Sequence, residues 1–338
     1  MRLPKPLLIG IAGLASLALA GCAAESPAPA ESAEDPLVAA ARAEGQVVMY
    51  SSAVGTIDQS VADAFFDEYG IEVLITKLTS AEVSARYQAE GAAGNVLADI
   101  VSSSCTDVAF FTETVNQGWA TAPADLDAPG LEAVPSAIVA DGSTFEYAAM
   151  PVAIGYNTDL LSGDDVPQTW EDLIDPKYKG KIVMVDPASS TFYLSWLTWV
   201  MDTYGEDFIA ALGEQDLGYA DAATARNQLG AGQYAIDIPT FEVSMDDTAA
   251  TGAPVAGIAP DATVANFQCI VTSSEEHAPH PNAAKLYAQF MASPEGAAAM
   301  EAGVNGVLSP FREGGIPASV EHVPAAGDQD LILGLLGL

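Results

Sequence analysis

Hydroxyl side chains gather at four places in this 338-residue chain: Ser51-Ser52, Thr79-Ser80, Ser102-Ser103-Ser104 and Ser189-Ser190-Thr191. Such side chains, beside backbone N–H groups, can hold a carboxylate, phosphate or phosphonate without a lysine, best where a helix begins and its first amides are unpaired. One helix start contributes on the order of 1 kcal/mol to an anion, so several must converge. Other candidates lie further along. Glu242 and Asp237 could pair with an amine, and Tyr156 and Phe241 could pack on an apolar part of a ligand. Covalent chemistry is poorly provided for. A serine or cysteine nucleophile needs a base in reach, yet no histidine precedes His277, and His277, His280 and His322 read as surface residues. P-loop, HExxH and GxSxG patterns are absent, and Asp164-Asp165 and Asp246-Asp247 read as solvated turns. No enzyme, no cofactor and no metal site are expected.

The elements that would position these groups follow from periodicity. Gln46 to Tyr50 is a short β-rich run, and Ile57, Val61, Ala64, Phe65 and Tyr69 recur at helical steps until Gly70. Ile71 to Lys77 alternates as a strand. Thr79-Ser80-Ala81-Glu82 is a capping box that opens a helix carrying Val83 and Tyr87. Ala98 to Val101 is a third strand. This order predicts a parallel sheet with right-handed crossovers. The pattern repeats with strands at Tyr147 to Tyr156, Lys181 to Val185 and Tyr234 to Ile238, the last followed by an expected loop Pro239-Thr240-Phe241-Glu242. A helix with Phe192, Trp196, Trp199 and Val200 reads as core. Phe267 to Thr272 is a later strand, and Asn282 to Met291 an amphipathic helix. Ligands of open α/β sheets bind at the carboxyl ends of strands. Any one hydroxyl cluster is explained by capping alone; four of them at strand ends, in two successive α/β units, point to a site shared between domains.

The chain start and its charge bound the setting. Arg2 and Lys5 precede an apolar run from Leu7 to Ala20, too short to span a bilayer comfortably, as in a secretory signal. It closes as Leu19-Ala20-Gly21-Cys22, which resembles a bacterial lipobox and implies cleavage before a lipidated Cys22. Ala23 to Pro36, rich in Ala, Glu, Ser and Pro, is an expected disordered tether. Loss of Arg2 and Lys5 takes two positives from a net charge of −35, leaving −37 with nine Lys and Arg. Nucleic acid and anionic lipid faces are excluded by repulsion. With Cys22 lipidated, Cys105 and Cys269 remain as a possible disulfide in an oxidising compartment.

The chain resembles the family 1 extracellular solute-binding proteins of ABC importers, in the ferric-binding branch. The resemblance rests on EGQVVMYSS (Glu44 to Ser52), TSAEVSARYQAEGAAGNVLADIV (Thr79 to Val101) and GYNTDLL (Gly155 to Leu161). It continues through WEDLIDPKYKGKIVMVDPASS (Trp170 to Ser190), PNAAKLYAQFMASPEG (Pro281 to Gly296) and GVLSPFREG (Gly306 to Gly314). It implies a two-lobed, type II periplasmic-binding-protein-like α/β fold. Each lobe is a mainly parallel sheet flanked by helices, and hinge strands join the lobes. Residues 1–21 are then a signal, 22–36 the tether, 37–141 with 263–338 the first lobe, and 142–262 the second. It also implies a monomer, anchored outside the cell by lipid, that captures a small solute by hinge closure and presents it to ABC importer permease subunits. The candidate ligand-binding positions, read from the residues themselves, are Ser51, Ser52, Thr79, Ser80, Ser103, Ser104, Tyr156, Ser189, Ser190, Thr191, Thr240, Phe241 and Glu242. The family's iron ligands, a tyrosine pair with a histidine and a carboxylate, are not matched: Pro239-Thr240-Phe241-Glu242 has no phenol, and Ser51-Ser52-Ala53-Val54 no imidazole. An anionic or zwitterionic organic solute is expected, a cationic one stays open, and ferric iron or another metal is the alternative.

Overall fold

Asp35 and Pro36 begin the part of the chain that the computed structural model describes, residues 35–54 and 56–338. Cys22, the expected signal and residues 22–34 of the expected tether lie outside the described residues. Pro36 does not belong to a tether: it is the first residue of helix α1 (Pro36–Glu44), because Asp35 accepts from the Leu37 N–H at 2.8 Å and proline suits a first helical turn.

The first unit runs β1 (Gln46–Ser51), α2 (Ile57–Tyr69), β2 (Glu72–Lys77), α3 (Ser80–Ala92), β3 (Ile100–Ser104) and α4 (Val108–Asn116). The strands β1, β2 and β3 are parallel, with β1 in the middle. Alternation sends Val47 and Met49 to one face, where they meet Phe65 of α2, and Tyr50 and Val101 to the other, where they meet Val83 and Tyr87 of α3 and Phe111 of α4. Short elements follow: β4 (Ala120–Thr121), α5 (Pro129–Ala133) and β5 (Ile138–Val139).

The 14-residue β6 (Thr144–Asn157) then leaves this unit for the second. There the chain forms β7 (Ile182–Val185), α6 (Thr191–Tyr204), α7 (Glu206–Gly213), β8 (Gly218–Ala220), α8 (Ala222–Gly230), β9 (Ile236–Phe241), α9 (Glu242–Ala250) and β10 (Val255–Ile258). It returns along β11 (Thr263–Ser273) to α10 (Pro281–Met291) and α11 (Pro294–Gly303), and ends with β12 (Val320–His322) and α12 (Gln329–Leu336). The continuous strand order is β2-β1-β3-β11-β6-β9-β7-β8. Parallel strands β1 to β3 lie at one end and parallel β7, β8 and β9 at the other, with antiparallel β11 and β6 crossing between. This is the two-lobed mixed α/β architecture expected.

Two large hydrophobic cores are present. The first takes in Phe145, Tyr147 and Met150 from the start of β6, ahead of the crossing. The second core, built on Trp170, Trp196, Leu197 and Ile209, also holds Ile332 and Leu336 of α12. The apolar face of α12 settles against α7 because that helix offers it Ile209 and Leu212. The aromatic helix is core, as expected: Trp196 is fully enclosed, its ring 5.2 Å from that of Trp170, and such burial contributes roughly 2–3 kcal/mol per large apolar side chain.

Candidate functional site

The carboxyl ends of β1, β2 and β3 are tied together by their own backbone. Ser52 N donates to Ser102 O at 3.1 Å and Leu78 N to Ser51 O at 2.9 Å. Two hydroxyl clusters thereby meet, and Ser80 Oγ donates to Ser52 Oγ at 3.1 Å. Thr79 is already committed as the cap of α3. Its N–H donates to Glu82 Oε2 at 2.8 Å while Glu82 N donates back to its hydroxyl at 3.3 Å, and these donors hold the Glu82 carboxyl below the usual carboxylate range. Ser51 is also committed: it is buried, donates to Asp58 and accepts from Ala53 N at 3.0 Å.

Beneath these loops Asp58, on the first turn of α2, is fully buried. Lys77 Nζ lies 2.7 Å from its Oδ2, and the Tyr147 hydroxyl donates to Oδ1 at 2.7 Å. Tyr147 also meets Ser102 Oγ at 3.0 Å, and burial, followed by the Asp58 charge, pushes its phenol well above the ordinary value. Lys77 donates to Ala53 O at 3.0 Å as well, its ammonium has no third partner among the described residues, and its side chain is 43% exposed. Sequence reasoning missed Lys77. The available signal was a cation closing an alternating strand in a chain with few basic residues.

Ser103 and Ser104 do not join this cluster through any hydrogen bond among the described residues. Ser103 Oγ donates to Asp107 at 2.6 Å, and Ser104 Oγ to Asn266 of β11 at 3.1 Å. Next to them, Cys105 and Cys269 are joined, with Cα atoms 5.0 Å apart.

In the second lobe, β7 delivers Asp186, whose carbonyl accepts from Ser189 Oγ at 2.6 Å. Ser190 Oγ caps α6 by accepting from Phe192 N at 3.3 Å, and Thr191 is the first residue of that helix. All three hydroxyl residues are exposed. The expected loop at Pro239-Thr240-Phe241 is strand: β9 continues to Phe241, and Pro239, which has no N–H to give a ladder, falls where pairing with β6 shifts register between Ala153 and Gly155. Thr240 is buried, and Tyr156 and Phe241 are half-buried. The Phe241 ring lies 5.8 Å from that of Phe192 and packs against both cores. Glu242 opens α9; burial raises its pKa, against the Ala259 N–H that lowers it. Asp237 is 1% exposed, and burial pushes it up to about 8 against the pull of Arg226, which disfavours its charged form.

Of the three histidines expected at the surface, His322 is exposed and His277 and His280 are half-buried. His280 lies with Nδ1 2.8 Å from buried Asp99, His277 Nδ1 is 2.9 Å from Ser274 Oγ, and His322 Nε2 is 2.6 Å from Glu146. Each partner is distant in sequence or on another element, except Ser274. Among the described residues no group of three or more His, Cys, Asp or Glu is gathered to hold a metal, and no helix is long and apolar enough to cross a membrane.

Known proteins share this fold. The family described as "Bacterial extracellular solute-binding protein" matches residues 95–325. An uncharacterised protein of Haemophilus influenzae is 27% identical over 189 residues, 51% of this chain and 51% of that protein, so the chain spans about half the length of this curated relative. Iron-bound HitA from Pseudomonas aeruginosa superimposes with a TM-score of 0.59 at 19% identity, over 87% of this chain and 99% of that one. AfuA from Actinobacillus pleuropneumoniae, with fructose-6-phosphate bound, gives 0.57 at 20% identity over 87% and 97%. The spermidine/putrescine ABC transporter substrate-binding protein PotD from Streptococcus pneumoniae gives 0.60 at 17% identity, over 86% of this chain and 98% of that one. These identities show the fold, whereas the family match covers more than half of the chain and most of both lobes. The chain belongs to the bacterial extracellular solute-binding protein family.

Proposed function

We propose that this protein is the substrate-binding lipoprotein of an ABC import system and that it encloses a small organic solute with an anionic group between its lobes by hinge closure. The observation that carries the proposal is the exposed Lys77 ammonium, fixed by buried Asp58 at the strand ends beside the Ser52–Ser80 pair. A lysine held there by a carboxylate supplies the cation that hydroxyls alone lack, and the start of α6 with Ser189, Ser190 and Thr191 would meet the same anion from the second lobe. Phe241, touching both cores, supplies an apolar wall. Closure over the solute strips water from it and presents one shape to the permease subunits.

The lobe limits fit the proposal best when drawn at the crossings of β6 and β11, with α12 counted in the second lobe. Cleavage before Cys22, lipid anchoring on the outer face of the cell membrane, and a monomer that performs no chemical turnover complete it. Long-range attraction of anions is weak for a chain of this charge, but screening limits the field to about 8 Å at physiological salt, so local donors decide.

The test is a thermal-unfolding panel of carboxylates, phosphates, phosphonates, zwitterionic amino compounds, polyamines and ferric citrate. A ligand at a hundred times its dissociation constant adds roughly 2.7 kcal/mol of stability. Stabilisation by one anionic class, lost in Lys77→Met, supports the proposal. Stabilisation by polyamines or ferric iron alone, unaffected by that substitution, would sink it.

A further inference from the structure

His322 stands away from the strand-end cluster, on the three-residue strand β12, which pairs only with β11 among the described residues. Its imidazole lies flat on Phe267, with ring centroids 3.8 Å apart and planes 6° from parallel, and its Nε2 is 2.6 Å from Glu146 Oε1. The receptor side of this contact is enclosed: the Glu146 side chain is 5% exposed and Phe267 is 5% exposed. The imidazole side is not, since the His322 side chain is 62% exposed.

A pair that served packing alone would be closely surrounded, because protein interiors leave few voids. Here two cavities adjoin it, of about 250 Å³ and 320 Å³, and Glu146, Phe267 and His322 line both. The first extends past Val108 and Asn266, the second past Ile316 and Pro317. The imidazole thus borders two hollows that it does not fill.

We infer that the Glu146 carboxylate and the Phe267 face form a second binding site, for a planar nitrogenous cation of the amidinium, guanidinium or imidazolium class, and that His322 occupies it from within the chain. The aromatic face attracts a cation stacked on it, and a buried carboxylate selects one that also donates an N–H. The hydrogen bond to Glu146 raises the His322 pKa, which favours the imidazolium form of the internal occupant. Glu146 stands on β6 and Phe267 on β11, so the site sits on the two crossing strands. It shares no residue with the Lys77 cluster and does not depend on the solute proposed above.

An occupant tethered by a short segment competes at an effective concentration on the order of millimolar. Calorimetric titration with benzamidinium, with neutral benzamide as control, compares the unsubstituted protein with His322→Ala. The expected result is at least about tenfold tighter benzamidinium binding by His322→Ala, with no heat from benzamide. Adding Glu146→Gln should abolish that binding. Phe267→Leu in the same His322→Ala background should weaken it, which keeps the test decisive should circular dichroism show that Glu146→Gln fails to fold. Absence of benzamidinium binding to folded His322→Ala overturns the assignment. So does equal binding of benzamide, or binding that neither further substitution changes.

Discussion

Lys77 Nζ lies 2.7 Å from Oδ2 of Asp58, an exposed cation on a carboxylate with no exposure at all. Removing the cation strands a buried charge that keeps only Ser51 and Tyr147. Lys77→Met should therefore cost about 1–3 kcal/mol in denaturant unfolding. Asp58→Asn combined with it should cost less than the two single effects added together. Strict additivity would show that the two groups do not act as a pair.

The Cys105–Cys269 bond joins residues 164 apart in sequence, one just past the end of β3 and the other on the neighbouring β11. Replacing both by serine should lower stability by about 2–4 kcal/mol. A thiol assay on denatured, unreduced protein should find neither cysteine reactive, and two reactive groups would contradict the bond.

Gly306 has φ +68°, and a Cβ there would stand 2.5 Å from Glu242 Oε2. Gly306→Ala should destabilise by about 1–3 kcal/mol, through both backbone strain and collision. Truncating Glu242 to Ala in the same chain should recover only the part due to its carboxylate, because the Glu242 Cβ would still stand 2.6 Å away. Full recovery would mean that neither the backbone conformation nor that remaining contact costs anything.

Glu146 raises the His322 pKa above the ordinary 6.5, mainly by accepting its hydrogen bond. A pKa raised by folding gives stability that is complete below the unfolded value and fades as pH rises through the folded one. Because the imidazole is mostly exposed, the effect is small. His322→Ala should melt on the order of 1 °C below the unsubstituted protein near pH 5.5, and the gap should narrow toward about pH 9. A gap that does not change across this range would leave stacking on Phe267 as the whole contribution.

Local rules made much of this protein legible. The capping box at Thr79 and Glu82 and the alternation of Gln46 to Tyr50 are set within a few residues, and both are present in the structure. The hydroxyl clusters were visible too, but not which hydroxyls are already spent: Ser51 on Asp58, Ser103 on Asp107, Ser189 on the Asp186 carbonyl. Lys77 was overlooked because its meaning comes from Asp58 and Tyr147, which only the sheet topology brings to it. The extension of β9 through Pro239 was hidden for a similar reason. A proline reads as a strand end unless the register of the neighbouring strand is known.

The position of β11 has a consequence for how the protein is made. It lies between β3 and β6, yet it is synthesised after every strand of the second lobe. The amino-terminal sheet therefore stays an open half until residue 273 has left the ribosome, while the later-made lobe already has all of its own strands. The oldest part of the polypeptide thus waits longest for its central strand, and until then it stays a loose substrate for whatever machinery handles nascent chains.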